Sequence, residues 1–191
     1  MRNGNPKSHH VVGRGSADSD LTDDELRAIV REALADVTRG ANVLAIIPDK
    51  TRDDNTPVLF AAAAEILSER HVSKFDALVA QGTHGPMTAA EKFAKIGNAK
   101  NFNGTIFDHR WDDPESLVTI GELTRETVAE ITGGLLDEPI KLTINRLLAP
   151  GAYDLVLIFG ATVPHEVAGF AGGAKYFFPG VAGAELTHKT H

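Results

Sequence analysis

The stretch VLAIIPDKTRDDNTPVLFAAAAEILSERHVSKFDALVA (43–80) decides how this chain folds. Residues 43–47 form an unbroken apolar run, the pattern of a strand buried on both faces. Residues 48–55 are polar. Thr56 and Pro57 then supply a helix N-cap and a first helical residue. The segment from there to about Arg70 reads as a helix, and residues 75–80 as a second strand. Strand, helix, strand is a βαβ unit, which pairs its strands in parallel.

The same alternation extends both ways from this unit. Upstream, Leu26, Ile29, Val30, Ala33, Leu34 and Val37 share one helical face over residues 21–37, opened by a Thr22–Glu25 capping box and closed by Gly40. Downstream, Thr88 and Glu91 open a helix over 88–96. Short strands are expected at 105–107, 117–120, 140–144 and 155–159, with a small helix or turn at 125–131. The predicted class is α/β, a Rossmann-like and mostly parallel sheet with helices on both faces. Residues 1–20 read as a flexible arm and 21–191 as the domain.

Composition narrows function. The net charge is −7, from 19 basic and 26 acidic side chains, which argues against nucleic-acid binding through bulk charge. No cysteine is present, so thiolate metal sites, disulfides and a thiol nucleophile are excluded. Any metal held by these side chains must take nitrogen or oxygen ligands. Residues 1–20 carry no apolar signal core, and apolar runs such as 58–64 are too short to span a bilayer. A cytoplasmic location is the expectation.

In parallel sheets, ligands bind beyond the carboxyl ends of the strands. The loops expected there are DKTR, QGTHGP, DHRW and ATVPHEVAGFAGGAK. The last is the richest. Its glycines, Gly169, Gly172 and Gly173, allow backbone N–H groups to approach an anion, and Lys175 offers a charge or an amine nucleophile. It is not a phosphate-binding P-loop, because Ala174 and Tyr176 stand where that motif needs Gly and Ser or Thr. His84 and His165 sit on short loops stiffened by Gly and Pro, with a side chain able to exchange protons at neutral pH. Taken alone, each also suits a structural role. Asp49 fits ribose hydroxyls and Arg52 fits phosphate or carboxylate, though the two also suit a surface ion pair. His109, beside Trp111, reads as a packing residue, and His71 as a helix-end residue. The adjacent His9 and His10 read as incidental. His188 and His191 have an i, i+3 spacing that suits metal binding on a helix.

Together these motifs resemble the nickel-dependent lactate racemase family and its 2-hydroxy acid racemase and epimerase relatives. The resemblance rests on Asp49-x-Thr51-Arg52, Gly82-Thr-His84-x-Pro86, His109-x-Trp111 and Pro164-His-Glu-x-x-Gly-Phe-x-Gly-Gly-x-Lys175, followed by Pro179-Gly180. It implies the N-terminal domain of a two-domain enzyme, an isomerase, with the second domain lying outside this stretch. It also implies that the domain alone is inactive, being half a cleft. The implied cofactor is a nickel-pincer nucleotide attached covalently to Lys175, with Asp49, Arg52, Gly172 and Gly173 contacting it. His191 is the implied nickel ligand, with His188 as the fallback. His84 and His165 are the implied catalytic pair, each serving one enantiomer of a small 2-hydroxy acid by reversible hydride transfer to the cofactor. Lys50, Asp53, Asp54 and Gly85 depart from the family pattern, and the two acids are expected to repel an anionic substrate. Two other readings stay open: a nickel-independent dehydratase or isomerase using His165 and Glu166, and a non-catalytic nucleotide- or anion-binding module using residues 172–175.

Overall fold

A computed structural model describes residues 11–165 and 169–190. Its elements run α1 (Asp23–Ala33), β1 (Asn42–Pro48), α2 (Thr56–Glu69), β2 (Lys74–Ala80), α3 (Ala89–Lys95), β3 (Ile106–Asp108), β4 (Leu117–Leu123), α4 (Arg125–Thr132), β5 (Ile140–Asn145), β6 (Leu155–Ile158), β7 (Val163–His165), β8 (Gly169–Ala171) and α5 (Ala184–Thr190). The predicted βαβ unit is present, with β1 and β2 in parallel register from Asn42↔Lys74 to Pro48↔Ala80. Both capping boxes form, at Thr22–Glu25 and Thr88–Glu91. Helix α1 ends at Ala33, earlier than its apolar pattern suggested, and Val37 packs on the core from the turn that follows.

The central sheet has the order β3-β2-β1-β6, and every pairing in it is parallel. Side chains alternate across β1 as a pleated strand demands. Val43, Ala45 and Ile47 face a core shared with α1 and α2, where Phe60 lies 5.0–5.6 Å from the rings of Phe75, Phe102 and Phe159. Leu44 and Ile46 face the other way, onto Tyr176, Val181, Leu147 and Leu148. The α-helices therefore cover one face. The second is covered by the 3₁₀ turns Arg146–Leu148 and Gly173–Tyr176 and the segment after them. Strands β4 and β5 stand apart as an antiparallel pair, roofed by α4 and α5 through Val128, Ile140, Ala182 and Leu186. Among the described residues no helix is long and apolar enough to cross a membrane.

Sheet order places the site. From β1 the chain winds outward through β2 to β3, then returns to the opposite side of β1 as β6. The loops after β1 and β6 therefore diverge, opening a crevice at the carboxyl ends of the strands.

His109, 1% exposed, ties the two sheets together. Its Nε2–H donates to the Ala182 carbonyl at 2.8 Å, and Asn145 Nδ2 donates to its Nδ1 at 3.2 Å. The Asn145 amide is oriented by Leu147 N–H, which donates to Oδ1 at 3.0 Å, so the imidazole is held neutral. Burial lowers the His109 pKa, against the opposing Ala182 hydrogen bond and the Asp112 charge. The unfolded chain takes up this proton near pH 6.5, whereas the folded chain resists it. Stability from this group is thus fully present above about pH 6.5 and falls as the pH drops below it. Urea midpoints followed across that range should decline more steeply for the natural chain than for His109→Gln. Parallel slopes would contradict the assignment.

Candidate active site

At the crevice the structure gathers side chains from four separate segments around a cavity of about 720 Å³. Asp49 and Arg52 come from the loop after β1, His84 from the loop after β2, His165 from β7, and Gly172 and Lys175 from the glycine-rich segment. Gly173 lies next to these but does not line the cavity. The adjacent His188, on α5, does line it, with its ring edge-on to Trp111 at 5.7 Å. His191, Glu166, His9 and His10 fall outside the described residues.

Asp49 is 5% exposed, and both its oxygens are engaged. Thr51 donates to Oδ1 from its N–H at 2.9 Å and its hydroxyl at 2.5 Å. Oδ2 faces His84 Nδ1 at 2.5 Å. Burial alone would raise the Asp49 pKa, but the Thr51 and His84 hydrogen bonds and the His84 charge outweigh it and lower the value. An ionised carboxylate only accepts, so Nδ1 of His84 carries a proton and Nε2 is the ring nitrogen turned away from Asp49. The sequence offered Asp49 as a ribose contact and gave no sign that it pairs with His84, 35 residues away.

Arg52 makes no hydrogen bond or ion pair through its guanidinium among the described residues, and it stands on the cavity wall. Its backbone is anchored instead, since Lys95 Nζ on α3 donates to the Arg52 carbonyl at 2.5 Å and to Asp54 Oδ1 at 3.2 Å. Of the two acids expected to repel an anion, Asp54 is paired with a buried cation. Its side chain is 3% exposed, neutralised by Lys95, and accepts from the Thr56 N–H at the start of α2. Lys50 does not line the cavity and pairs with Glu91 on α3 at 2.7 Å.

The glycine-rich segment is an antiparallel β7–β8 hairpin followed by a 3₁₀ turn. Gly172 has φ +88°, and a Cβ there would lie 2.4 Å from the Ala161 carbonyl oxygen. The glycine thus serves chain packing, and the Lys175 N–H donates to its carbonyl at 3.0 Å. Gly172→Ala should destabilise the fold by about 1–3 kcal/mol through backbone strain, with the contact on Ala161 adding to it, read as a lowered urea midpoint. An unchanged midpoint would sink this account. Tyr176 follows Lys175, and its hydroxyl packs where Gly160 has no side chain. Burial and the charges of Asp54 and Asp49 push its phenol up to about 12, against Arg52, so it stays protonated. Sequence reading missed Tyr176, Lys95 and Gln81 as parts of the site, since none belongs to a spacing pattern.

The sequence profile of the lactate racemase N-terminal domain matches residues 20–191. This chain belongs to the lactate racemase N-terminal domain family. It is 29% identical over 160 residues to the lactate racemase of Thermoanaerobacterium thermosaccharolyticum. It is 30% identical over 165 residues to that of Lactiplantibacillus plantarum. These matches cover 83% and 84% of this chain but 34% and 35% of the relatives, so the chain spans about a third of their length. A crystal structure of a Thermotoga maritima protein superposes with a TM-score of 0.83 at 32% identity, covering 95% of this chain and 42% of that one. The lactate racemase apoprotein of T. thermosaccharolyticum superposes at 0.62 and 28% identity, covering 88% and 42%. This lactate racemase N-terminal domain is an α/β unit with its crevice where the loops after β1 and β6 diverge.

Proposed function

We propose that this domain is the cofactor-holding, proton-transferring half of a 2-hydroxy acid racemase. The convergence of Arg52, His84, His165 and Lys175 on one cavity at the sheet's switch point carries this reading. A second domain, in the two-thirds of the relatives that this chain does not span, would close the crevice over a small 2-hydroxy acid.

The residues fit a nickel-pincer nucleotide. Lys175 offers an amine for covalent attachment, and the Arg52 guanidinium suits a phosphate. Among the described residues no three histidine or carboxylate groups come together as metal ligands. A nickel ion here would accordingly draw most of its donors from the organic group, in keeping with a chain free of cysteine. We assign the remaining protein ligand to His191, which follows directly on α5, and note that His188 brings this helix to the cavity wall. When bound, the group supplies a reversible acceptor for the α-hydrogen of the substrate.

The chain's own work is acid–base and electrostatic. His84 takes the substrate hydroxyl proton at Nε2, and Asp49 stabilises the imidazolium that forms. His165, from a different element, serves the opposite enantiomer in the same way. Chemistry that must run from either mirror image requires a base for each, which is the reason for two histidines on one cavity.

Intact-mass spectrometry after co-expression with the cofactor-building enzymes tests this. The expected result is a covalent adduct on Lys175 with one nickel per chain, abolished by Lys175→Arg. Unmodified Lys175 in a chain that still binds phosphate would favour a non-catalytic anion-binding module instead.

A further inference from the structure

Gln81 closes β2 and is 4% exposed, yet it does what an apolar residue at this position would not. Its Nε2 donates to the His84 carbonyl at 3.3 Å and to the His109 carbonyl at 3.2 Å. Its own carbonyl accepts from the His84 N–H at 2.9 Å, so main chain and side chain both close the turn that carries His84. Gly82, at φ +54°, lets the turn form and donates from its N–H to the Gly180 carbonyl at 3.0 Å. The amide orientation is fixed by its neighbours, because a flip would set Oε1 against two carbonyl oxygens. Oε1 is consequently buried with no partner. An unsatisfied buried acceptor is unfavourable, and the fold tolerates it at the residue that grips His84.

We propose that Gln81 is the positioning residue of His84. Its two amide N–H groups lock the turn to the ends of β2 and β3, so that the imidazole stays on Asp49 with Nδ1 protonated and Nε2 available. This rests on the reading of His84 as the acid–base group. It predicts that Gln81 touches no reacting atom and acts wholly through the backbone of the turn.

The test is histidine-ring NMR on this 191-residue chain. In the natural chain, His84 should show a protected Nδ1–H. Gln81→Met keeps the volume and removes both donors. It should speed exchange of the His84 Nδ1–H with water by on the order of tenfold, two modest hydrogen bonds being lost. His109 loses only the bond to its own backbone carbonyl and its ring keeps those to Ala182 and Asn145, so it should change much less than His84. A general loss of packing would move both histidines, and a His84 signal unchanged in Gln81→Met overturns the proposal. Gln81→Glu provides a second reading should the Met variant fail to fold. Its protonated acid keeps one donor, whereas its carboxylate sets charge against two carbonyls. The His84 signal should then be retained at low pH and lost as the introduced carboxyl ionises. A pH-independent signal overturns the proposal. Neither outcome touches the Lys175 adduct, so failure here is distinct from failure of the racemase reading.

Discussion

Replacing His84 by alanine in the cofactor-loaded enzyme containing this domain should lower racemisation by a factor of about 10²–10⁴, the usual worth of a positioned general base. His165→Ala should produce a loss of similar size. The equilibrium constant between two enantiomers is one. Each variant must therefore lose kcat/KM equally in both directions, even though the proposed mechanism sets each histidine against a different enantiomer. Polarimetry started separately from each pure enantiomer measures both directions. An unequal loss would indicate an assay artefact, and an unchanged rate in either variant would remove that histidine from the mechanism. Attachment at Lys175 should persist in both variants, which separates lost proton transfer from lost cofactor.

The largest effect on stability is expected at Lys95. Its side chain is 7% exposed and its partner Asp54 is 3% exposed. Burial alone would raise the Asp54 pKa, but the Thr56 hydrogen bonds and the Lys95 charge reverse this and lower it. Lys95→Met leaves that carboxylate buried without its cation and strips the Arg52 carbonyl of a donor. Removing one partner of a buried pair typically destabilises by about 3–5 kcal/mol, a large part of the roughly 5–15 kcal/mol that holds a domain together. Urea denaturation gives the value. Adding Asp54→Asn should recover part of the loss, because no uncompensated charge then remains. Equal midpoints for the natural chain and Lys95→Met would show the pair to be dispensable.

Several features of this domain were legible in one dimension because their causes are local. The apolar run of residues 43–47 requires burial on both faces wherever it is placed. Thr22 and Thr88 cap helices with glutamates three residues away. Parallel pairing follows from the helix between β1 and β2. Given a parallel sheet, the loops bearing Asp49, His84 and His165 had to meet along one edge. The structure brings these residues and Lys175 to one cavity.

What stayed hidden depends on contacts between residues far apart in the chain. The Asp49–His84 pair spans 35 residues, and the Lys95–Arg52 contact spans 43. Neither leaves a periodic signal, since periodicity reports which face of an element is buried and not which polar group it meets there. Asp54 shows the difference. Read along the chain it is a second acid beside an anion site, and in the fold it is a buried carboxylate paired with Lys95 just ahead of α2. His109 likewise passed for a simple packing residue beside Trp111 until Asn145 and Ala182 supplied its hydrogen bonds. Sequence settled the parallel sheet and the loops that lie at its carboxyl edge, because burial and capping act over a few residues. Only the tertiary structure settled which side chains hold Asp49, His84 and Arg52 in place, because a hydrogen bond depends on distance in space and is indifferent to separation along the chain.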